Sequence, residues 1–287
     1  MDKRRDRAIG SLVGLAIGDA VGTTLEFRSR QDENPLSDMV GGGPFRLKPG
    51  EWTDDTSMAL CLADSLLENH GKVVPRDLLS RWVNWWRWGH NSVTGECFDI
   101  GNATANALAT FEMTGSTVNN DAEHLQANGS IMRLAPVVIC STSAGMAVTL
   151  ALQQGKTTHA ARVPQDCCAK LATLLFDAIE SGRIPASVLT YGRTSRDEVV
   201  SSGHAPATLS AAQWAMATTD SFEGAILAAA NLGGDADTVA AVTGQLAGAV
   251  YGMAAIPATW LQKLSWRDEI IERASHLWDL RQAVISD

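Results

Sequence analysis

Two short runs in this sequence gather hydroxyls and carboxylates as a cation site would. The first is Gly50-Glu51-Trp52-Thr53-Asp54-Asp55-Thr56-Ser57-Met58, and the second is Gly233-Gly234-Asp235-Ala236-Asp237-Thr238. Each opens an apolar pattern at helical spacing: Met58, Cys61, Leu62 and Leu66 after the first, Val239, Val242, Leu246 and Val250 after the second. Taken singly, each run reads as an ordinary helix start. Thr53 suits an N-cap, and Asp54 and Asp55 suit a first turn, whose unpartnered N–H groups favour negative charge. Taken together they imply more. Carboxylates from both runs, brought together without a counter-ion, would repel and raise one another's pKa. Hard divalent cations between the two clusters resolve that conflict.

Other polar residues stand out against their surroundings. Glu26 lies between Leu25 and Phe27, an acid in an apolar setting that reads either as a loop residue or as an acid beside the metals. Asp99 sits in the turn Phe98-Asp99-Ile100-Gly101-Asn102 before an alanine-rich helix, and an N-cap role alone would explain it. Asn128-Gly129-Ser130 is a small-polar loop before a helix, whose backbone N–H groups could hold a pyrophosphate, although ordinary turns use the same residues. His159, in Thr157-Thr158-His159-Ala160, is a lone histidine, a type that more often serves as a structural hydrogen-bonder than as a catalyst.

The elements that must position these residues read as helices throughout. Ile9, Leu12, Val13, Ala16, Ile17 and Ala20 mark a helix from 7 to 20, and Gly10, Gly14, Gly18 and Gly22 recur in it every fourth residue, a signal of close helix–helix contact. Residues 28–50 are rich in Gly, Pro, Asn and Asp and read as a lid or binding loop leading into the first acidic run. Leu78, Leu79, Trp82, Trp85 and Trp86 form a helical core face, with Trp88 as an alternative platform for an adenine. Val137-Val138-Ile139-Cys140 is the one run that resembles a strand, and it lies inside a helical pattern. A further helix starts at 207, and Trp260, Leu264, Trp266, Ile271 and Leu277 read as core. No repeat, GxGxxG or GxxxxGK[ST] motif occurs. The expectation is one all-α domain over 1–287.

Composition narrows the function classes. A net charge of −9 argues against nucleic acid as the main partner, since phosphate backbones need a basic face. Five cysteines with no CxxC spacing fit a reducing compartment, so a cytoplasmic location is expected. Basic residues at 3–5 followed by Ile9 to Ile17 imitate a signal peptide, but glycines and Asp19 interrupt the run, and it reads as shorter than the ~18 apolar residues of a membrane span. A soluble monomer is expected.

Several of these motifs, in this order, resemble the ADP-ribosylglycohydrolase family. The likeness rests on Gly18-Asp19-Ala20-Val21-Gly22 with Glu26, on Arg46-Leu47-Lys48-Pro49-Gly50 leading to Thr53-Asp54-Asp55-Thr56, and on Gly233 to Thr238. The resemblance implies a compact, orthogonal multi-helix bundle with a central cleft holding two ions, Mg²⁺ or Mn²⁺. The ligands it implies are Thr53, Asp54, Asp55, Asp235, Asp237 and Thr238. Glu26 is implied as the catalytic carboxylate beside the metals, taking a proton from the attacking water, with Asp54 and Asp237 also in the catalytic set. Asp99 with Gly101, the Asn128-Gly129-Ser130 loop and His159 match positions that contact ADP-ribose. The implied reaction is hydrolysis of the bond between mono-ADP-ribose and an acceptor on a protein or small molecule, with arginine favoured. Serine, O-acetyl-ADP-ribose or a nucleobase are the alternative acceptors, and a non-catalytic ADP-ribose-binding or toxin-neutralising protein is the alternative class. One departure is visible: Gly203-His204-Ala205-Pro206-Ala207-Thr208-Leu209 carries His204 and Ala207 where the family pattern has Tyr and Asp.

Overall fold

In the computed structural model, which describes residues 2–119 and 126–286, the protein is all-helical. In chain order the helices are α1 (Lys3–Gly22), α2 (Asp54–Glu68), α3 (Pro75–Trp88), α4 (Asn102–Thr114), α5 (Ala135–Ile139), α6 (Ala144–Lys156) and α7 (Arg162–Ser181). They continue with α8 (Ala186–Leu189), α9 (Ala205–Thr218), α10 (Phe222–Ala230), α11 (Ala236–Tyr251), α12 (Ala258–Lys263) and α13 (Arg267–Ser286). Among the described residues there is no strand, and the run from Val137 to Ile139 is the body of α5.

The two central helices are α1 and α11. Every residue from Ala8 to Gly22 and from Ala236 to Val250 is buried, the mark of a helix packed on all sides. The glycines explain how they meet. A Cβ on Gly10, Gly14, Gly18 or Gly22 would run into the backbone of Gly248, Gly244, Ala240 or Ala236 respectively. As the number rises along α1 it falls along α11, so the helices are antiparallel and nearly backbone to backbone. This seam sets the C-terminal end of α1 beside the N-terminal end of α11, and so Glu26 beside Asp235 to Thr238. By length and hydropathy the segment Lys3–Leu25 would suffice to cross a membrane, more than the interrupted sequence run suggested, yet 89% of its apolar window is buried inside the protein.

Local expectations hold or fail for identifiable reasons. Thr53 occupies the N-cap of α2, but its side chain does not cap the helix. Asp19 of α1 does so instead, accepting from Thr53 N–H (2.9 Å) and Thr56 N–H (3.0 Å). Asp99 is not an N-cap: Gly101 holds that place in α4, and Asp99 stands two residues earlier with a left-handed backbone, φ 60°. The helix expected from 207 starts at Ala205. On α13 Leu277 is fully buried as expected, but Ile271 is only half-buried and its neighbour Ile270 takes the buried place. Trp88 is 79% exposed and stands beside Asp77, Arg81 and His90, away from the acidic clusters.

Candidate active site

The two acidic clusters meet. Thr53 Oγ1 and Thr238 Oγ1 each lie 3.4 Å from Asp55 Oδ2, although Asp55 and Thr238 are 183 residues apart. Glu26, Asp99 and Asp237 bring carboxylate oxygens within 4.8 Å of one another, a spacing suited to a shared cation. The construction that aligns them is local. Gly233 and Gly234 both have positive φ, 67° and 64°, and a Cβ on Gly233 would lie 2.5 Å from Arg28 O. That close turn lets Phe27 N–H donate to Gly234 O (2.7 Å) and Gly234 N–H donate to Arg28 O (2.8 Å), which clamps the chain after Glu26 onto the start of α11.

Behind the clusters, Asp19 is fully buried and accepts from both Thr53 Oγ1 (2.9 Å) and Thr56 Oγ1 (2.6 Å) as well as from their backbone amides. Burial pushes its pKa up to about 6 against the pull of those donors. Burial, reinforced by neighbouring carboxylates, raises Asp54 and Asp55 well above the ordinary aspartate range and Asp237 to about 7. The same causes lift Asp99 to about 9 and Glu26 to about 12. Burial also raises Asp235, against a hydrogen bond from Asn128 Nδ2.

These groups fit a divalent metal. Glu26 Oε2 and Asp55 Oδ1 are buried with no hydrogen-bond partner, a state that costs several kcal/mol for a charged oxygen unless something answers it. No lysine or arginine stands among the described residues that line the cavity. The donors are carboxylates and threonine hydroxyls, hard oxygens that suit Mg²⁺ or Mn²⁺.

The clusters open into a cavity of about 330 Å³. Glu26, Asp54, Asp99, Gly101, Asn128, Gly129, His159, Asp235, Asp237 and Thr238 line it. Thr53 and Asp55 lie behind the wall, fully buried. Ser130 is also behind it: its hydroxyl accepts from Cys168 Sγ and its carbonyl from Gln154 Nε2. Gly129 is glycine because the His159 ring passes over it, and a Cβ there would lie 2.8 Å from His159 Cε1. None of residues 28–50 lines the cavity. The loop instead braces the Asp99 turn, with Phe45 against Phe98 at 5.1 Å between ring centroids.

His159 is held in one form. Thr158 Oγ1 accepts from Arg133 Nη2 (2.6 Å) and lies 2.7 Å from His159 Nδ1. With one oxygen lone pair taken by the guanidinium, the hydroxyl is free to donate its proton to Nδ1, an arrangement that puts the ring proton on Nε2. Burial, aided by Arg133, pushes the His159 pKa down to about 3. Nitrogen-15 NMR should therefore show a protonated Nε2 and a bare Nδ1 between about pH 5 and 8, the range in which an unperturbed histidine titrates. Thr158→Val should mix the two tautomers, and a wild-type signal from protonated Nδ1 would sink the assignment.

The sequence matches the model of the family described as ADP-ribosylglycohydrolase over residues 1–286. The chain belongs to the ADP-ribosylglycohydrolase family. It is 46% identical over 296 residues to an ADP-ribosylarginine hydrolase Tri1 of Pseudomonas putida (strain GB-1), covering 96% of this chain and 78% of that one. It is 32% identical over 282 residues to an ADP-ribosyl-[dinitrogen reductase] glycohydrolase of Rhodospirillum rubrum, covering 92% of each chain. A solved structure, an ADP-ribosylglycohydrolase-related protein complex, superposes with a TM-score of 0.85 at 38% identity over 98% of this chain and all of that one. As a member of the ADP-ribosylglycohydrolase family the protein is a glycosyl hydrolase.

The departure from the ADP-ribosylglycohydrolase pattern falls outside the site cavity. His204 and Ala207 line a separate hollow with Tyr191, Val200 and Trp214, and His204 Nε2 bonds to Gln126 Oε1 (2.7 Å). The threonine of that same motif does reach the site: Thr208 Oγ1 accepts from Asn128 Nδ2 (2.9 Å), the amide that holds Asp235. Phe27, Thr104 and Met132 also line the cavity and were not singled out in the sequence. Asp19 was legible only as part of a motif, and Arg133, behind His159, gave no signal beyond its place after Asn128-Gly129-Ser130.

Proposed function

We propose that this protein is a metal-dependent hydrolase that releases ADP-ribose from arginine side chains of modified proteins. The observation that carries the reading is the contact of Asp55 with Thr238 and its orphaned carboxylate oxygen, which unites both acidic clusters beside a cavity. The named relative that hydrolyses ADP-ribosylarginine supports the acceptor.

In this reading Thr53, Asp54, Asp55, Asp235, Asp237 and Thr238 hold two ions, Mg²⁺ or Mn²⁺. When bound, such a pair orients a ribose diol and makes a water more acidic. Positive charge beside Glu26 favours its ionised form, and Glu26 then takes the proton of the attacking water. Asp54 and Asp237 fix the geometry around it. Asp99 faces the departing guanidinium and answers its charge. Gly101 and the Asn128–Gly129 loop hold the diphosphate and ribose, Ser130 supports that loop from behind, and the His159 Nε2–H donates to a ligand oxygen. The chain works as one domain, as a monomer, in the cytoplasm. Its five thiols are all unpaired, in keeping with a reducing compartment. Neither nucleic acid nor membrane is required as a partner.

The test is turnover on ADP-ribosyl-arginine, ADP-ribosyl-serine and O-acetyl-ADP-ribose in parallel, with EDTA and with millimolar Mg²⁺ or Mn²⁺. The expected result is metal-dependent cleavage with arginine strongly preferred. Equal activity in EDTA, or preference for an oxygen-linked acceptor, would overturn the reading.

A further inference from the structure

Phe27 is a side chain that folding alone does not explain. Its backbone has φ 57°, in the left-handed region that residues with a Cβ adopt at an energetic cost. Its ring is 70% exposed, whereas the other five phenylalanines are buried or half-buried. Burial therefore does not offset the strained backbone. That backbone is imposed from outside, by the paired hydrogen bonds to Gly234 O and from Gly234 N. The clamp that seats Glu26 thus also sets the Phe27 ring on the cavity wall, in company with Glu26, Asp54, Asp99, Asp235 and Asp237. No described lysine or arginine lines that wall. A ligand that uses both features carries a positive charge for the carboxylates and a flat face for the ring. A planar cation over an aromatic face is such a ligand.

We propose that Phe27 is a specificity-determining residue whose ring stacks on the guanidinium of the ADP-ribosylated arginine, selecting a planar cationic acceptor over a neutral hydroxyl. The proposal rests on the arginine reading above and assigns the residue that reads the acceptor. It makes Phe27 a contact for the leaving side chain and not for the nucleotide.

The experiment compares wild type with Phe27→Gly, Phe27→Leu and Phe27→Trp in the metal-loaded full chain. Glycine adopts φ 57° without strain, so Phe27→Gly is expected to fold with an unchanged or higher melting temperature. Its KM for ADP-ribosyl-arginine peptide should rise about tenfold, in keeping with a cation–π contact, while the Kd of free ADP-ribose stays within about twofold by the same localisation. Phe27→Trp should keep the wild-type KM, and Phe27→Leu should behave like Phe27→Gly. An unchanged KM in Phe27→Gly overturns the proposal. So does a wild-type KM in Phe27→Leu, which would make the contact merely apolar, or an equal loss of free ADP-ribose binding, which would place the ring on the nucleotide. Each of those results leaves wild-type turnover on arginine intact. A wild type inactive on arginine-linked ADP-ribose would instead remove the acceptor reading and this proposal with it.

Discussion

Asp54→Asn and Asp237→Asn should each lower kcat/KM at saturating metal by more than about 100-fold, since even outer groups that only orient a metal's ligands are worth roughly 10–100-fold. Substitutions of the neighbouring carboxylates Asp55 and Asp235 should affect stability differently with and without metal. In wild type, millimolar Mg²⁺ or Mn²⁺ added to EDTA-treated protein should bind the folded state alone, contributing about 2.7 kcal/mol at a hundred times Kd. At about 2–4 °C per kcal/mol for a chain of this size, the melting temperature should rise by roughly 5–10 °C. Asp55→Asn and Asp235→Asn should blunt that rise, because both belong to the meeting point of the clusters. In EDTA, however, each loss of a carboxylate relieves repulsion that raises its neighbours' pKa values. The mutants should then melt no lower than wild type.

The pH dependence of the metal-free protein has a definite sign. Asp19 at about 6 and Asp237 at about 7 bind protons more tightly when folded than an unfolded aspartate near 4 does. Between those values the folded state carries the extra protons, so stability falls as pH rises. Wild type in EDTA should therefore melt lower at about pH 8 than at about pH 5, by the same linkage. Metal should remove most of that loss. Differential scanning calorimetry of the mutants, at both pH values and with and without metal, checks all of this. A full metal-induced rise in either Asp55→Asn or Asp235→Asn would mean that the two clusters do not share a site.

Gly18→Ala should be strongly damaging for a single added methyl. The added Cβ would run into the Ala240 carbonyl, with Ala241 Cα at 2.9 Å, and these are helix backbone atoms that cannot rotate away. Overpacking a core costs typically ~1–3 kcal/mol, and the upper end, roughly 3, applies where backbone must yield. The melting temperature should drop by roughly 6–12 °C. Turnover should fall as well, because the displaced partner is α11, whose first turn carries Asp237 and Thr238 and abuts Gly22. Gly145→Ala is the matched control. It lies in α6 with only Ser143 Oγ at 4.0 Å from its added Cβ, so it should be neutral or stabilising by about 0.4–1 kcal/mol. Thermal melts of the two purified variants decide the matter, and equal melting temperatures would show that the α1–α11 seam has slack.

The order of amino acids is enough to make this chain helical and to give it two acidic helix starts. Both are local properties: a 3.6-residue apolar period needs only neighbours along the chain, and Asp54, Asp55 and Asp237 stand in the first turns of α2 and α11 as their types suggest. It also showed that α1 has a glycine face, since Gly10, Gly14, Gly18 and Gly22 recur at one helical turn. Which helix that face meets was decided only in three dimensions, because periodicity defines a face and not its partner. The answer, α11 running antiparallel with Gly244 and Gly248 opposite, sets the two ends together that carry Glu26 and Asp237. Capping followed the same division. Thr53 has the right type for an N-cap, yet its hydroxyl donates to Asp19 instead, an acid 34 residues earlier. Asp99 has the right type too, and a left-handed turn braced by Phe45 takes it out of the cap. The Arg133–Thr158–His159 chain and the exposed ring of Phe27 had no sequence signal, because each depends on bonds that packing forms between distant segments.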